Sequence, residues 1–203
     1  MKKPFWEKTY LNSNETFEGG KPADELVELH KQLPYNASVL DIGCGDGRNS
    51  IYLAGKGFNI TAIDISENGL RKLRQTTKEK GLKIETENIN AAEYCFEKKF
   101  DLIIAYGVLH LIKKEERKIL LKRIKDNTRK NGFNVILVFT DTLPAPPDLA
   151  PFMIGLFEEG EIFNEYSDWE MIENKSYILN DVHPGGIKHK HPINKITCKK
   201  TCI

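Results

Sequence analysis

Apolar and charged stretches alternate along the first 140 residues of the chain. Short runs rich in β-branched residues predict strands at residues 37–42, 58–63, 82–87, 100–105 and 133–139. Apolar residues at helical spacing predict helices at residues 23–33, 48–56, 67–80 and 115–129. The last of these helices would bury Ile119, Leu120 and Ile124 and stop at Asn131-Gly132. Because the run FDLIIA is apolar throughout, its strand should be buried on both faces, which favours a parallel sheet covered by helices.

The alternation breaks after residue 140. The segment after it is too rich in proline for a regular element, with Pro144, Pro146, Pro147 and Pro151. A short helix is predicted near 158–165, and strands near 169–178 and 193–200. The whole pattern predicts one α/β domain over residues 1–203. We expect a doubly wound, Rossmann-like sheet of seven strands, mostly parallel with an antiparallel closing strand, and helices on both faces. Residues 141–165 would form a substrate lid, because loops carry specificity on such scaffolds.

Composition and charge narrow the class of protein. The 203 residues include 30 basic and 29 acidic side chains, for a net charge of +1, which disfavours nucleic acid as a partner. No apolar run reaches the roughly 20 residues that are needed to span a bilayer. Glu7 and Lys8 stand where a signal peptide would need its apolar stretch. We therefore expect a cytoplasmic protein with reduced cysteines, no membrane contact and a small-molecule substrate. The sequence leaves open whether the chain forms a homodimer.

A glycine-rich turn follows the first predicted strand, in the run VLDIGCGDG. Gly43 and Gly45 let the backbone turn sharply and approach a ligand closely. The dinucleotide fingerprint needs glycine where this chain has Arg48. The carboxylate of Asp41 would repel a pyrophosphate and attract an ammonium group, so the pattern favours S-adenosylmethionine (SAM) over NAD. A plain tight turn is the alternative.

Asp64 ends the second predicted strand, about one β-α-β unit further on. Its carboxylate can accept hydrogen bonds from both ribose hydroxyls of a nucleoside, and Ile65 would then lie against the adenine. The alternative is that Asp64 only caps the helix that starts near Ser66.

Two later turns complete the predicted cofactor site. Asn88 and Ile89 follow the third strand, where an amide could hydrogen-bond adenine, although a surface turn is nearly as good an interpretation. After the fourth strand, the carbonyl of Ala105 would lie near the ammonium and Tyr106 near the substrate. The sequence there, AYGVLH, lacks the N/D-P-P-aromatic motif of many enzymes that methylate nucleic-acid bases.

Several segments resemble the tellurite-resistance methyltransferases and their small-molecule relatives over nearly the full chain. They are FWEKTY, LDIGCGDGRNSIYLA, TAIDIS, FDLIIAYGVLHLI, FEEGEI and DWEMIE. The resemblance implies a class I SAM-dependent methyltransferase that releases S-adenosylhomocysteine, with Arg48 and Asn49 in the cofactor motif. It also implies that residues 1–35 fold over the cofactor, with Trp6 and Tyr10 closing the site. The alternative is that these aromatic residues only pack the N-terminal helix.

The resemblance places a histidine corresponding to His183 beside the substrate pocket, and we expect His183 to be the catalytic residue. The predicted substrate-binding residues are Tyr106, His110, Lys188, His189 and His191. The chain departs from the tellurite enzymes at Pro184, where they have a basic residue. His189 and His191 would share one face of a strand. They could also be solvated, or hold zinc together with His183, but no metal is predicted.

We therefore expect methyl transfer to a small soft nucleophile: a tellurite- or selenite-type oxyanion, a thiol or a related xenobiotic. One alternative is another small-molecule O- or N-methyltransferase. The other is a metal-sequestering protein that uses the C-terminal histidines with Cys198 and Cys202.

Overall fold

The computed structural model describes residues 4–12, 16–183 and 187–201. Seven strands of this described part form one sheet, in the order β3-β2-β1-β4-β5-β7-β6. The strands are β1 (Ser38–Ile42), β2 (Asn59–Asp64), β3 (Glu85–Asn88), β4 (Phe100–Tyr106), β5 (Thr128–Phe139), β6 (Glu170–His183) and β7 (Ile187–Lys199). The α-helices are α1 (Phe5–Leu11), α2 (Asp24–Leu29), α3 (Arg48–Ala54), α4 (Glu67–Glu79), α5 (Lys114–Asp126) and α6 (Glu161–Glu165).

The sheet has the predicted mixed topology. Strand β1 pairs in parallel with β2 on one side and with β4 on the other. Strand β7 runs antiparallel to both of its neighbours, β5 and β6. The prediction of a mostly parallel sheet with one antiparallel closing strand is therefore confirmed. The order reverses at β1, so the carboxyl ends of β1, β2 and β4 open a crevice at one edge, where such sheets bind ligands.

Helices cover both faces of the sheet, as predicted. Alternate residues of β1 point to opposite sides, so that Val39 belongs to one hydrophobic cluster and Leu40 to the other. The cluster around Val39 includes side chains of α2, α3 and α4, and the cluster around Leu40 includes side chains of α5. No helix among the described residues is long and apolar enough to cross a membrane.

The prediction for the buried face of α5 is partly wrong. Leu120 and Ile124 are buried, but Ile119 is 61% exposed. Arg117 is fully buried instead. Its guanidinium lies 3.6 Å from the centre of the Phe157 ring, and one amino group donates to the carboxylate of Glu161 at 2.8 Å. A paired charge on a long apolar stem can therefore occupy a core position that the hydrophobic pattern does not reveal.

The predicted helix stop at Asn131-Gly132 is also wrong. Helix α5 ends at Asp126, and both residues lie inside β5. Asn131 has a φ of 62°, and the register between β4 and β5 shifts just before Phe133. A Cβ on Gly132 would come within 2.9 Å of the Asp101 carbonyl oxygen. Asn131 and Gly132 thus allow an irregularity within β5 rather than the end of a helix.

The last two strands are longer than predicted. Strand β5 ends at Phe139, which pairs with Ile193, whereas β6 and β7 continue to pair as far as His183 and Ile187. Residues 178–183 and 187–192, which we call the hairpin arm, therefore extend past the end of β5. Because β7 runs antiparallel to β5, the arm lies above the carboxyl edge of the parallel strands.

Candidate active site

A cavity of about 790 Å³ opens at the carboxyl edge of β1, β2 and β4. This volume lies within the usual range for small-molecule sites. Its walls come from the glycine turn after β1, the ends of β2 and β4, helix α1, the loop after β5 and the hairpin arm. Most of the predicted cofactor residues lie on its wall: Trp6, Tyr10, Asp41, Gly43, Gly45, Arg48, Asn49, Asp64, Ile65 and Ile89.

Sterics explain the glycines of the turn. Gly43 and Gly45 have φ values of 69° and 57°, a region that disfavours other residues. A Cβ on Gly43 would lie 2.5 Å from the Cβ of Val108, and a Cβ on Gly45 would lie 2.4 Å from the hydroxyl of Tyr10. The turn is thus held closely between the segment after β4 and helix α1.

Asp41 is a buried carboxylate on the cavity wall. Burial raises its pKa to about 6, although the Ser50 hydroxyl donates a hydrogen bond to it at 2.7 Å. The guanidinium of Arg48 opposes this rise in pKa; it donates to the Lys21 carbonyl and lies over the Tyr106 ring. A buried carboxylate of this kind is well suited to hold an ammonium group.

Asp64 ties the end of β2 to the glycine turn. Its carboxylate accepts hydrogen bonds from the backbone N–H of Gly45 at 2.8 Å and of Ser66 at 2.7 Å. Burial raises its pKa, while these two bonds oppose the rise. The cap of α4 is Ser66, whose hydroxyl accepts from Gly69 N–H. Beside Asp64, the exposed side chain of Ile65 lines the cavity.

Two predicted cofactor residues do not lie on the cavity wall. The amide of Asn88 donates to the carbonyls of Asp64 and Ile65 at 3.0 Å each, and so supports the loop from behind. Its neighbours Ile89 and Asn90 line the cavity. Ala105 of β4 is buried in the core. The next residue, Tyr106 at the end of β4, lines the cavity instead.

Helix α1 covers the glycine turn. Tyr10 places its hydroxyl over Gly45, and burial together with the charge of Asp64 raises its pKa, so the phenol stays neutral. Asn68 of α4 donates to the carboxylate of Glu7 at 2.6 Å. The Trp6 ring meets the Phe152 ring edge to face, with 5.5 Å between centroids. Helix α1 and the loop after β5 therefore touch across the cavity.

Two imidazoles and a phenyl ring stack at the opposite end. Phe139 lies between His110 and His191, with centroid distances of 4.0 and 4.5 Å. Burial, His191 and Arg117 lower the pKa of His110 to about 3. Its Nδ1 accepts a hydrogen bond from the Phe139 N–H at 3.4 Å, so the neutral ring carries its proton on Nε2.

The hairpin arm separates the remaining predicted substrate residues. His189 and His191 are buried on the same face of β7, but only His191 lines the cavity. His189 Nε2 lies 3.1 Å from the carboxylate of Asp148 in the loop after β5. Lys188 is exposed and lies off the cavity wall. The His183 side chain is outside the described part of the structure, so its predicted role stays a prediction.

The structure adds wall residues that the sequence analysis missed: Asp46, Asn90, Glu116, Leu179 and Asp181. In the register of the hairpin arm, Asp181 of β6 lies opposite His189 of β7. Glu116 lies in the first turn of α5. Residues 141–165, predicted as a substrate lid, reach the cavity wall in part. Leu149 and Phe152 line the cavity, whereas the segment 158–165 does not. Only the three-dimensional pairing of distant segments reveals these positions.

This fold is the Rossmann-like fold of the SAM-dependent methyltransferases. The crystal structure of TehB from Haemophilus influenzae is similar to it, with a TM-score of 0.78 and 27% sequence identity over 88% of this chain and 62% of that chain. A sequence model of the family described as tellurite resistance protein TehB matches residues 6–188. The chain therefore belongs to the TehB family.

Two curated relatives show the range of similar enzymes. A probable SAM-dependent methyltransferase TehB of Haemophilus influenzae is 36% identical over 139 residues, which cover 66% of this chain and 46% of the relative. A ubiquinone biosynthesis O-methyltransferase of Rickettsia felis is 29% identical over 121 residues, which cover 60% and 49%. The chain thus spans about half the length of these relatives.

Proposed function

We propose that this chain transfers a methyl group from SAM to a small soft nucleophile, such as a metalloid oxyanion, a thiol or a related xenobiotic. The observation that carries the proposal is the two-ended cavity. One end presents buried carboxylates and a glycine turn, and the other presents the stack of His110, Phe139 and His191. Membership of the TehB family supports the same chemistry.

The residues at the first end fit the cofactor group by group. Asp41 would pair with the ammonium and Asp64 with the ribose hydroxyls, while Ile65 and Ile89 would contact adenine. Asn90 is the amide on that wall, and we assign to it the adenine contact predicted for Asn88. When bound, SAM supplies a methyl group that its positively charged sulfur already activates.

The protein then has to orient the acceptor and exclude water. Orientation alone can lower such a barrier by several kcal/mol, up to about 7–11 in intramolecular reactions. The contact between Trp6 and Phe152 closes the cavity on one side. Burial lowers the pKa of His110 to about 3, so the ring is neutral at neutral pH and its Nε2–H can donate a hydrogen bond. His183 stays our proposed catalytic residue.

A second candidate is O- or N-methylation of a small molecule, which the similarity to the Rickettsia felis O-methyltransferase favours. A metal-sequestering site shared by the histidines and Cys198 receives no support from the described structure. Cys198 and His191 lie seven positions apart on the same strand, and at about 3.3 Å per residue they are too far apart to share one ion.

Calorimetry with SAM and S-adenosylhomocysteine, followed by an acceptor panel of selenite, tellurite, thiols and phenols, tests the proposal. We expect micromolar binding and release of demethylated cofactor with the soft acceptors. His183→Ala should lower turnover by about 100-fold, within the range for acid–base groups, with cofactor affinity nearly unchanged. His30→Ala, outside the cavity, is the matched control. Absence of cofactor binding would rule out the enzyme.

A further inference from the structure

A buried ion pair joins helix α2 to strand β7 beside the cavity. Lys195 Nζ lies 2.5 Å from Glu25 Oε1, and the two side chains are 10% and 5% exposed. We propose that Glu25 and Lys195 are positioning residues, whose ion pair holds the Tyr106 ring in one orientation on the cavity wall. This inference rests on the proposed methyl transfer and goes beyond it, because neither residue of the pair lies on the described wall.

The sheet places Lys195 in line with Tyr106. Tyr106 of β4 pairs with Leu137 of β5, which in turn pairs with Lys195 of β7. Side chains in such a row point to the same face of the sheet, and two strand spacings of about 4.8 Å separate the backbones of Tyr106 and Lys195. One side chain from the layer that covers this face can therefore reach both residues.

Glu25, in the first turn of α2, is the side chain that reaches both. The Tyr106 hydroxyl donates at 3.4 Å to Glu25 Oε1, the oxygen that also lies beside Lys195. Burial and the Glu25 carboxylate raise the pKa of Tyr106, so the phenol keeps the proton that it donates. The start of α2 is held in turn, because the Ala23 N–H donates to Oδ1 of the buried Asn49 at 2.9 Å.

Arg48 contacts the same ring from the cofactor end. Its guanidinium carbon lies 5.2 Å from the centre of the Tyr106 ring, within the range at which a cation attracts an aromatic face. Arg48 Nη1 also donates to the Lys21 carbonyl at 2.8 Å, which fixes the guanidinium. Tyr106 is therefore restrained at its hydroxyl by Glu25 and at its ring by Arg48.

Tyr106 lies between the two ends of the cavity. Strand β4 stands between β1, which leads into the glycine turn, and β5, which ends at Phe139. Tyr106 is the last residue of β4 and lines the cavity. With SAM bound as proposed, a ring at this place would contact both the cofactor and the acceptor, so a fixed ring helps to keep the two reactants aligned.

The burial of two charges favours a positioning role over a stabilising one. Ions that leave water lose hydration, and apolar side chains of similar size often stabilise a core as well or better. The neighbouring core positions of β7 are indeed apolar, with Ile193 and Ile196. Glu25 Oε2 is also buried without a hydrogen-bond partner among the described residues. The orientation of Tyr106 explains why a charged pair occupies this place.

The test removes the pair without leaving an unpaired charge. Glu25→Met combined with Lys195→Met, the pair variant, should unfold at a urea concentration equal to or above that of the wild type. It should bind S-adenosylhomocysteine about three- to tenfold more weakly in calorimetry, because binding then has to order the Tyr106 ring. Glu28→Met combined with Lys31→Met is the matched control. It removes an exposed ion pair that begins one turn further along α2, and it should leave the affinity within about twofold.

Tyr106→Phe separates positioning from general packing. It removes the hydroxyl that donates to Glu25, so it should weaken binding by the same factor as the pair variant. Adding it to the pair variant should weaken binding no further, because both changes remove one interaction. Losses that multiply, or wild-type affinity in either variant, overturn the inference. If the pair variant does not fold, Tyr106→Phe alone decides.

An isotope label gives a measurement that depends on no ligand. In NMR of protein labelled at tyrosine Cζ, the Tyr106 resonance is the one lost in Tyr106→Phe, and it reports the hydrogen bond of the hydroxyl. It should shift in the pair variant and stay in place in the control variant. A resonance that does not move in the pair variant overturns the inference.

Failure of the proposed function gives a different result. If the wild-type protein does not bind S-adenosylhomocysteine, the proposed enzyme is wrong, and the positioning role with it. If the wild type binds the cofactor and transfers its methyl group while the pair variant matches it, only the positioning role is wrong.

Discussion

At the scale of single residues, Asp41 shows what burial does to the pKa of a carboxylate. Desolvation raises its pKa to about 6, and the hydrogen bond from Ser50 offsets only part of that rise. An arriving ammonium would favour the ionised form. Cofactor binding should therefore be coupled to the loss of a proton from Asp41 at mildly acidic pH.

We predict that the affinity for S-adenosylhomocysteine falls as the pH is lowered through about 6, because protonated Asp41 no longer attracts the ammonium. Calorimetry between pH 5 and 8 measures this dependence, and buffers of different ionisation enthalpy reveal the released proton. Asp41→Asn should bind weakly, with a flatter pH profile. A wild-type affinity that is constant over this range would contradict the assignment.

The raised pKa of Asp41 also affects the stability of the fold, which should fall as the pH rises, whereas the affinity for the cofactor should increase. The folded-state pKa of Asp41 lies above the unfolded value, so its protonated form stabilises the fold at low pH, and that contribution is lost as the pH rises through about 6. At pH 7 the buried charge is therefore costly. Asp41→Asn should raise the free energy of unfolding without cofactor, by up to about 3 kcal/mol, in urea titrations.

At the scale of elements, α1 and the loop after β5 meet at the cavity wall. Helix α1 packs on the start of α4, where Asn68 donates to Glu7. The loop is connected to the hairpin arm, where Asp148 lies 3.1 Å from His189. Trp6 of α1 and Phe152 of the loop meet edge to face, so this one contact joins the two elements.

A double-mutant cycle on these two rings tests that contact. Trp6→Ala and Phe152→Ala should each weaken S-adenosylhomocysteine binding by about tenfold, which is 1.4 kcal/mol. The double variant should lose less than the sum, with a coupling of about 0.5–1.5 kcal/mol, as is usual for an aromatic pair. Tyr35→Ala, which truncates a 92% exposed ring, is the control. Strict additivity would show that the contact does not close the site.

The elements also show which parts of the fold a sequence reveals. Strands β1, β2 and β4 and the second half of β5 were predictable because their apolar runs are buried in the sheet. Strand β3 is polar and mostly exposed. Asp41 and Asp64 could be singled out because they lie in or at the end of the apolar strands β1 and β2. The extension of β6 to residue 183 and of β7 back to residue 187 was not predictable, since residues 179–183 and 187–192 are mostly polar and contain no apolar run. Asp181 and Leu179 reach the cavity only through the pairing of that arm.

At the scale of the whole molecule, Arg117 connects the cavity's loop to the body of the protein. Its guanidinium lies over Phe157, where the loop after β5 ends, and pairs with Glu161 of α6. A Cβ on Gly155 would come within 1.7 Å of the Ile112 carbonyl oxygen, so this end of the loop is packed directly on the segment before α5.

Substitutions at this anchor should therefore affect stability before they affect chemistry. Glu161→Gln leaves the fully buried guanidinium without its counter-charge and should cost about 3–5 kcal/mol of unfolding free energy, as broken buried pairs do. Adding Arg117→Met should restore much of that loss, because an apolar side chain of similar length needs no partner. Urea unfolding measures both values. The matched control is Lys122→Met, which breaks the exposed pair with Asp126 and should change stability by less than about 1 kcal/mol. If Glu161→Gln is as mild as this control, the pair does not anchor the end of the loop after β5, and packing around Phe157 and Gly155 must hold it.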